Sequence, residues 1–289
     1  MSNYPVDVSI IFVNYKTKDL TINAIKSVFE KTEDITYEIF VVDNNSQDGS
    51  IEEIEKEFPK ISIIKNSVNA GFGAANNLAI KKAKGKYILC LNTDTLLINN
   101  AIKIMFDFME DNQNIGACGG NLYDYDLNPT MSYAAFPNFW NCLSLSWILK
   151  KIFPVLRNHG EVKNIKEVDF ITGANIFLRK RILDEIGLFD EQFFMFCEEI
   201  DLCYRIKEAG YKRVILPDSK ITHLEGKSSK NFWNNTKMRV ESKYLYSRKN
   251  QSSFVLYSMK ISYLILHLIC YFFTFNKNHL ELLKLHIKG

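Results

Sequence analysis

The six cysteines, Cys90, Cys118, Cys142, Cys197, Cys203 and Cys270, form no CxxC pair and no metal-finger spacing. That excludes a zinc-ribbon module and a disulfide framework, and it suits reduced thiols in the cytoplasm. The N-terminus lacks a basic segment followed by an apolar one. Asp7 interrupts it and a strand-like run begins at once, so export by a cleaved signal is not expected. Glycine is missing from Asn14-Tyr15-Lys16-Thr17, where the first strand-like run ends, so no glycine-rich phosphate loop follows it. Neither charge is in large excess. The net charge is +3 with 47% apolar and 24% charged residues, a globular composition that rules out wholesale disorder. A chain of 289 residues can bury a substantial core, as one enlarged α/β domain or as a domain with an appendage.

The small net charge conceals an asymmetry. Residues 227–289 hold 11 Lys/Arg against 2 Asp/Glu, which leaves 25 against 31 in residues 1–226. The chain therefore reads as a main domain over 1–226 and a basic, apolar helical region over 227–289.

Short apolar runs rich in β-branched residues fall at Val8 to Asn14, Tyr37 to Val42, Ser62 to Asn66 and Tyr87 to Leu91. Helical spacing lies between them, at Lys18 to Glu30, in a stretch ending at Glu57, and at Ala74 to Lys84. Successive right-handed β-α-β units put every strand's C-terminal end on one edge of the sheet. Asn14, Asp43, Asn69 and Asp94 all lie at or just beyond such ends. After a helix from Asn99 to Asp111, residues 121–165 carry three of the six prolines and no clear period, and read as an irregular insertion serving as a pocket or lid. The pattern resumes with a strand from Val168 to Phe177, helices from Arg179 to Ile186 and Glu198 to Ala209, and a last strand from Tyr211 to Leu216 with Pro217 behind it.

Two acidic clusters stand out. Asn92-Thr93-Asp94 follows the apolar run Tyr87 to Leu91, which puts a carboxylate where side chains can converge on a divalent cation; an N-cap for the next helix is the simpler alternative. Glu198-Glu199-Ile200-Asp201 opens a helix, and Asp201 and Arg205 have the i,i+4 spacing of a salt bridge. A carboxylate beside the apolar flank Phe193 to Cys197 can have the raised pKa a general base needs. Asp43 can accept a hydrogen bond from a base N–H or a ribose hydroxyl, and Asn44 and Ser46 can add donors, although Asp43 also suits a turn with Asp48 or Ser50 capping the helix behind it. Asn69, Gly71, Gly73 and Asn77 open another helix, whose first-turn N–H groups favour a diphosphate. His223, in a turn after the last strand, is a candidate second metal ligand.

Together these segments resemble the inverting family 2 glycosyltransferases of the GT-A fold. The resemblance lies in VSIIFVNYKTKDL, EIFVVDNNSQDGS, NAGFGAANNLAIKKAKGKYILCLNTD and DFITGANIFLRKRILDEIGLFDEQFFMFCEEIDLCYRIKEAGY, covering residues 7 to about 230. It implies an α/β fold, a doubly wound mixed sheet flanked by helices, with a C-terminal helical extension. It also implies a nucleotide site at Asn14, Asp43, Asn44, Asn69, Gly71, Gly73, Asn77 and Asn92. Mg²⁺ or Mn²⁺ would sit on Asp94 and His223, the donor sugar would lie at Gly173 and Ala174, and Glu199 would be the base, with Glu198 and Asp201 in support. Two positions depart from the family pattern: Asn92 replaces the first acid of the DxD motif, and Glu199 replaces the usual aspartate. The FFMFCEEIDLC run is most similar to bacterial rhamnosyltransferases of surface polysaccharides, which implies a dTDP- or UDP-sugar donor and a glycan or lipid-linked acceptor.

The run from Phe254 to Phe275 is broken by Lys260 and His267, and with the basic stretch before it suits an anchor at the inner face of the cell membrane. The alternative is a helical hairpin packed on the domain or on a second copy in a homodimer. No nucleic-acid module accompanies the charge. Rival functions are a UDP-hexose or galactofuranose transferase of the same fold, a sugar nucleotidyltransferase, disfavoured by the glycine-free Asn14 to Thr17 turn, and an inactive membrane-surface scaffold.

Overall fold

Val8, Ile10, Ile11 and Phe12 are fully buried in β1 (Val6–Asn14), because a strand flanked by partners and covered on both faces takes apolar residues at successive positions. It pairs in parallel with β2 (Tyr37–Asp43) on one side and β4 (Gly85–Leu91) on the other, and β2 pairs in parallel with β3 (Ser62–Lys65). The crossovers are α1 (Lys18–Lys31), α2 (Ser50–Glu57) and α3 (Phe72–Ile80). This is a computed structural model that describes residues 4–137, 160–224, 232–275 and 277–288.

Beyond β4 the sheet becomes mixed. Its order is β3-β2-β1-β4-β10-β6-β11-β5, with β8 on β11, where β5 is Thr95–Leu97, β6 Ile115–Tyr123, β8 Lys166–Glu167, β10 Asn175–Arg179 and β11 Lys212–His223. A two-stranded sheet pairs β7 (Tyr133–Ala134) with β9 (Phe170–Ile171). The helices of this half are α4 (Ala101–Asp111), α5 (Lys180–Ile186) and α6 (Glu198–Glu208). Strand order reverses between β1 and β4, the switch point beside which doubly wound sheets open a crevice. Asn14 and Asp43 end their strands there, and Asn92 follows β4.

Three elements differ from the sequence pattern. Residues 115–123, partly assigned to an irregular insertion, form the nine-residue β6, buried at every position. Its glycines mask the strand signal and permit the packing: a Cβ on Gly116 would stand 2.7 Å from the Ile206 side chain, and one on Gly120 2.4 Å from the Ser219 carbonyl oxygen. Of the remainder of that insertion, residues 124–137 and 160–165 are described and include β7, and residues 138–159 lie outside the described residues. The expected strand from Val168 to Phe177 is split into β9 and β10 by a turn at Thr172-Gly173-Ala174. The last strand does not stop at Leu216. Pro217 falls in a register shift against β6, where its missing N–H costs no ladder bond, Asn121 Nδ2 donates to its carbonyl at 3.1 Å, and pairing resumes through His223.

The chain divides into two compact units, and the second is built on Asn231–Gly289 with Met195–Cys197. It contains α7 (Phe232–Asn250), α8 (Ser253–Thr274) and α9 (Lys277–Lys288).

Candidate active site

Polar side chains gather where β1, β2 and β4 end. Asn14 is wholly buried, and its Nδ2 lies 2.7 Å from Asp43 Oδ1, 3.0 Å from Ser46 Oγ and 2.8 Å from Ser50 Oγ. Its Oδ1 accepts from the Thr17 and Thr21 hydroxyls, each at 2.9 Å. Thr17 Oγ1 stands 3.1 Å from the Thr93 hydroxyl, which ties the end of β1 to the residue between Asn92 and Asp94. Asp43 also accepts from the Ser46 amide at 3.1 Å and from the Ser46 hydroxyl. Buried polar atoms need such partners, so the network fixes the loop after β2 against β1. Asp48 does not serve as the N-cap of α2; that position is Gly49, and Asp48 Oδ1 accepts from the Ser50 amide at 3.1 Å. Ser46 beside Asp43 and Thr93 between Asn92 and Asp94 lie in segments that the sequence patterns single out, whereas Thr17 and Thr21 are not singled out. Their signal is a short hydroxyl side chain within a few residues of a strand end.

Asp94, 3% exposed, is not a helix cap: β5 begins at Thr95, and α4 begins at Ala101 behind Asn100. The second half of β11 pairs with β5 and sets His223 opposite Thr95. His223 Nε2 thereby comes within 3.4 Å of Asp94 Oδ1, and the Leu224 amide donates to the Asp94 carbonyl at 2.9 Å. A carboxylate oxygen and an imidazole nitrogen that converge form an O/N donor pair of the kind Mn²⁺ or Mg²⁺ accepts. No group of three or more His, Cys, Asp or Glu able to hold a metal occurs among the described residues. The pair therefore fits a cation completed by phosphate oxygens and water.

The turn at Gly173-Ala174 touches both acidic clusters. The Asn92 amide donates to the Ala174 carbonyl at 3.0 Å, while a Cβ on Gly173 would stand 3.9 Å from Glu199 Cβ. Glu199 is half-buried in the first turn of α6. Phe196 and Cys197, just before that turn, both take left-handed backbone with φ 70 and 66, a strained conformation for residues with side chains.

Glu198 is 4% exposed, and its Oε2 has no hydrogen-bond partner among the described residues. Burial, and then the neighbouring Glu199 carboxylate, hold its carboxyl well above the ordinary 4.5. Below that value both the folded and the unfolded chain carry the proton. As pH rises past 4.5 the unfolded chain releases it while the folded one retains it, so stability falls with rising pH at up to about 1.4 kcal/mol per unit. Glu198→Gln removes this slope. Thermal unfolding of the two proteins at acid and at mildly alkaline pH should show the variant gaining on the parent as pH rises, and parallel curves would contradict the assignment. Asp201 is wholly buried and accepts from Arg205 Nε at 2.9 Å, as the i,i+4 spacing indicates. Arg205 also donates to the carbonyls of Ile186, Gly187 and Leu188, so this pair braces the loop after α5.

The Asn69–Asn77 segment is packed against neighbouring chain. Gly71 has φ 87, and a Cβ there would stand 2.0 Å from the Phe194 carbonyl oxygen, which accepts from the Phe72 amide at 2.9 Å. Asn44 Nδ2 donates to the Gly71 carbonyl at 3.0 Å, and Asn69 Oδ1 accepts from the Gly71 amide at 3.1 Å. Asn77 donates to the Phe189 carbonyl and accepts from the Phe189 amide, at 2.9 and 3.1 Å. A Cβ on Gly73 would lie 3.1 Å from Phe189 Cβ. These contacts dock the start of α3 onto the chain leading to Glu198.

Residues 9–187 match the family described as Glycosyl transferase family 2, and the chain belongs to that family. Among curated proteins it is 22% identical over 207 residues to the N-acetylglucosaminyl-diphospho-decaprenol L-rhamnosyltransferase of Mycobacterium tuberculosis, a match covering 66% of this chain and 67% of the relative. Among solved structures, the mannosyltransferase PcManGT of Pyrobaculum calidifontis, in complex with GDP-Man and Mn²⁺, superposes with TM-score 0.59 at 13% identity, covering 99% of this chain and 85% of that one. GalNAc-T7 with UDP, GalNAc and Mn²⁺ gives TM-score 0.58 at 17% identity, covering 86% of this chain. The chain spans about half of that protein, 51%. The fold is that of the GT-A glycosyltransferases, a mixed α/β sheet flanked by helices.

Proposed function

We propose that this chain is an inverting glycosyltransferase that moves a sugar, best read as rhamnose from dTDP-rhamnose, to a glycan or lipid-linked acceptor in bacterial surface polysaccharide synthesis. The observation that carries the reading is the convergence of Asp94 and His223 at 3.4 Å beside the switch point of a family 2 fold. Asp94 and His223 would hold a divalent cation, whose chemistry when bound is to neutralise the departing nucleoside diphosphate. Glu199 takes the proton from the acceptor hydroxyl as it attacks the anomeric carbon, and a single displacement inverts that centre. Gly173 and Ala174 border the donor sugar beside Glu199, where the absence of a side chain at 173 leaves room. Asn14 and Thr93 act as positioning residues that keep the loop after β2 and the acid after β4 in register. The basic helical region would hold the enzyme at the inner face of the cell membrane, where a lipid-linked acceptor resides.

The choice of sugar rests on the Mycobacterium tuberculosis relative, and the GalNAc-T7 complex with UDP favours a UDP-hexose donor as the second reading. A thermal-shift screen against UDP, dTDP, GDP and their sugars, each with Mn²⁺ and with EDTA, separates them. A metal-dependent shift confined to dTDP and dTDP-rhamnose is expected. A shift with UDP and its sugars alone moves the donor to a UDP-hexose, and no shift with any nucleotide overturns the enzyme reading in favour of a scaffold.

A further inference from the structure

A cavity of about 360 Å³ lies inside the helical unit, walled by α7, α8 and α9. That is the size of a small-molecule site. Its apolar wall comes from Val240, Met259, Leu266 and Leu282, and its charge from Arg239 and Lys243; among the described residues no acidic side chain lines it. The two cations are held by aromatic faces. Arg239 lies 4.0 Å from the Phe196 ring centroid, and Lys243 Nζ is 2.5 Å from the Tyr263 hydroxyl and 4.7 Å from that ring's centroid. Tyr263, His286 and His267 stack behind them, with ring centroids 5.0 and 5.2 Å apart, and the Tyr244 hydroxyl meets His286 Nδ1 at 2.7 Å. Burial, then His267, Lys243 and Lys260, push the His286 imidazole down to about 4, as expected where positive potential is concentrated.

The helix that walls this cavity also carries an apolar face turned the other way. Phe254, Tyr257, Ile261, Ile265, Leu268 and Phe272 recur at three- and four-residue steps along α8, and all are exposed. By length and composition α8 is apolar enough to cross a membrane. Its inward face, however, is spent on the bundle, with Met259 buried and Tyr263 and His267 in the cavity wall. A helix with one face packed on protein and the other apolar and exposed suits the plane of a lipid interface. A chamber with an apolar wall and two cations, in a unit whose α8 carries such a face, suits a ligand that is anionic at one end and hydrocarbon at the other.

We propose that this cavity binds the phosphate headgroup of a membrane lipid, with Arg239 and Lys243 as its ligands and the start of the hydrocarbon tail against Val240, Met259, Leu266 and Leu282. This deepens the membrane part of the proposed function and is independent of which sugar is transferred. The test is binding of the full chain to neutral phosphatidylcholine vesicles and to the same vesicles containing phosphatidic acid. Arg239→Ala/Lys243→Ala should lose on the order of tenfold or more of the affinity for the phosphatidic acid vesicles and keep the affinity for the neutral ones. Lys237→Ala/Lys284→Ala removes the same charge from exposed positions of the same unit and should lose much less. Leu282→Trp fills the cavity with both cations in place and should lose as much as the first pair.

Equal losses for the two charge pairs would mean a diffuse electrostatic attraction and overturn the site. Competition by inorganic phosphate as strong as by the vesicles would overturn the lipid source in favour of a free anion. If the parent binds neither kind of vesicle, the membrane reading itself fails. If it binds both kinds and the cavity variants match it, only the cavity proposal fails.

Discussion

Glu199→Gln lowers turnover by roughly two to four orders of magnitude while the affinity for the donor nucleotide stays close to that of the parent. Gln has the shape of Glu but cannot take a proton from an attacking hydroxyl, so the loss falls on the chemical step. Glu199 is half-buried in the first turn of α6, and Gln preserves its size. The melting temperature should therefore change little. Glu198→Gln is the companion variant: its carboxyl is buried, favours the protonated form, and is poorly suited to accept a proton. Turnover measured on both variants assigns the role. If Glu198→Gln carries the loss and Glu199→Gln stays within about threefold of the parent, the base is Glu198 and the assignment is wrong.

Asp94→Asn abolishes the metal-dependent part of nucleotide binding and lowers kcat/KM by roughly two to three orders of magnitude. Asn keeps the volume of a residue that is 3% exposed, so the substitution tests charge without opening a cavity. The Leu224 amide bonds the Asp94 main-chain carbonyl, which the substitution leaves in place. His223→Ala should reproduce the loss of the Mn²⁺-dependent thermal shift more weakly, since a carboxylate is the stronger partner of a hard cation. The readout is the melting temperature with nucleoside diphosphate, in Mn²⁺ and in EDTA. A Mn²⁺-dependent shift that survives Asp94→Asn would show that the cation is held elsewhere.

Much of the first half of the sheet was legible in the sequence, because its signals are local. The apolar runs of β1, β2 and β4 have the length and β-branching of buried parallel strands, and Asn14, Asp43 and Asp94 were expected at or just beyond strand ends, where they are found. The second half was harder, since its strands owe their form to partners distant in the chain. Glycines at 116, 119 and 120 weaken the strand pattern, yet they let β6 pass against Ile206, Ile171 and Ser219. Pro217 reads as a strand terminator, yet it occupies a register shift after which pairing resumes. The sequence of the Asn69–Asn77 segment carries no sign of its contacts with Phe189 and Phe194, which are more than a hundred residues away.

By itself the sequence determined which residue types stand at the strand ends, the Asp201–Arg205 brace, and the basic, apolar character of the C-terminal region, because periodicity, i,i+4 spacing and charge are properties of neighbours along the chain. The pairing of Asp94 with His223 was implied by the family resemblance, and the tertiary structure set it at 3.4 Å; only the tertiary structure decided that Gly173 borders Glu199, that Glu198 is buried with its proton favoured, and that three separate helices enclose a cavity bearing Arg239 and Lys243. Each of those depends on strand order, a register shift or helix packing, which bring together residues whose spacing in sequence carries no sign of contact.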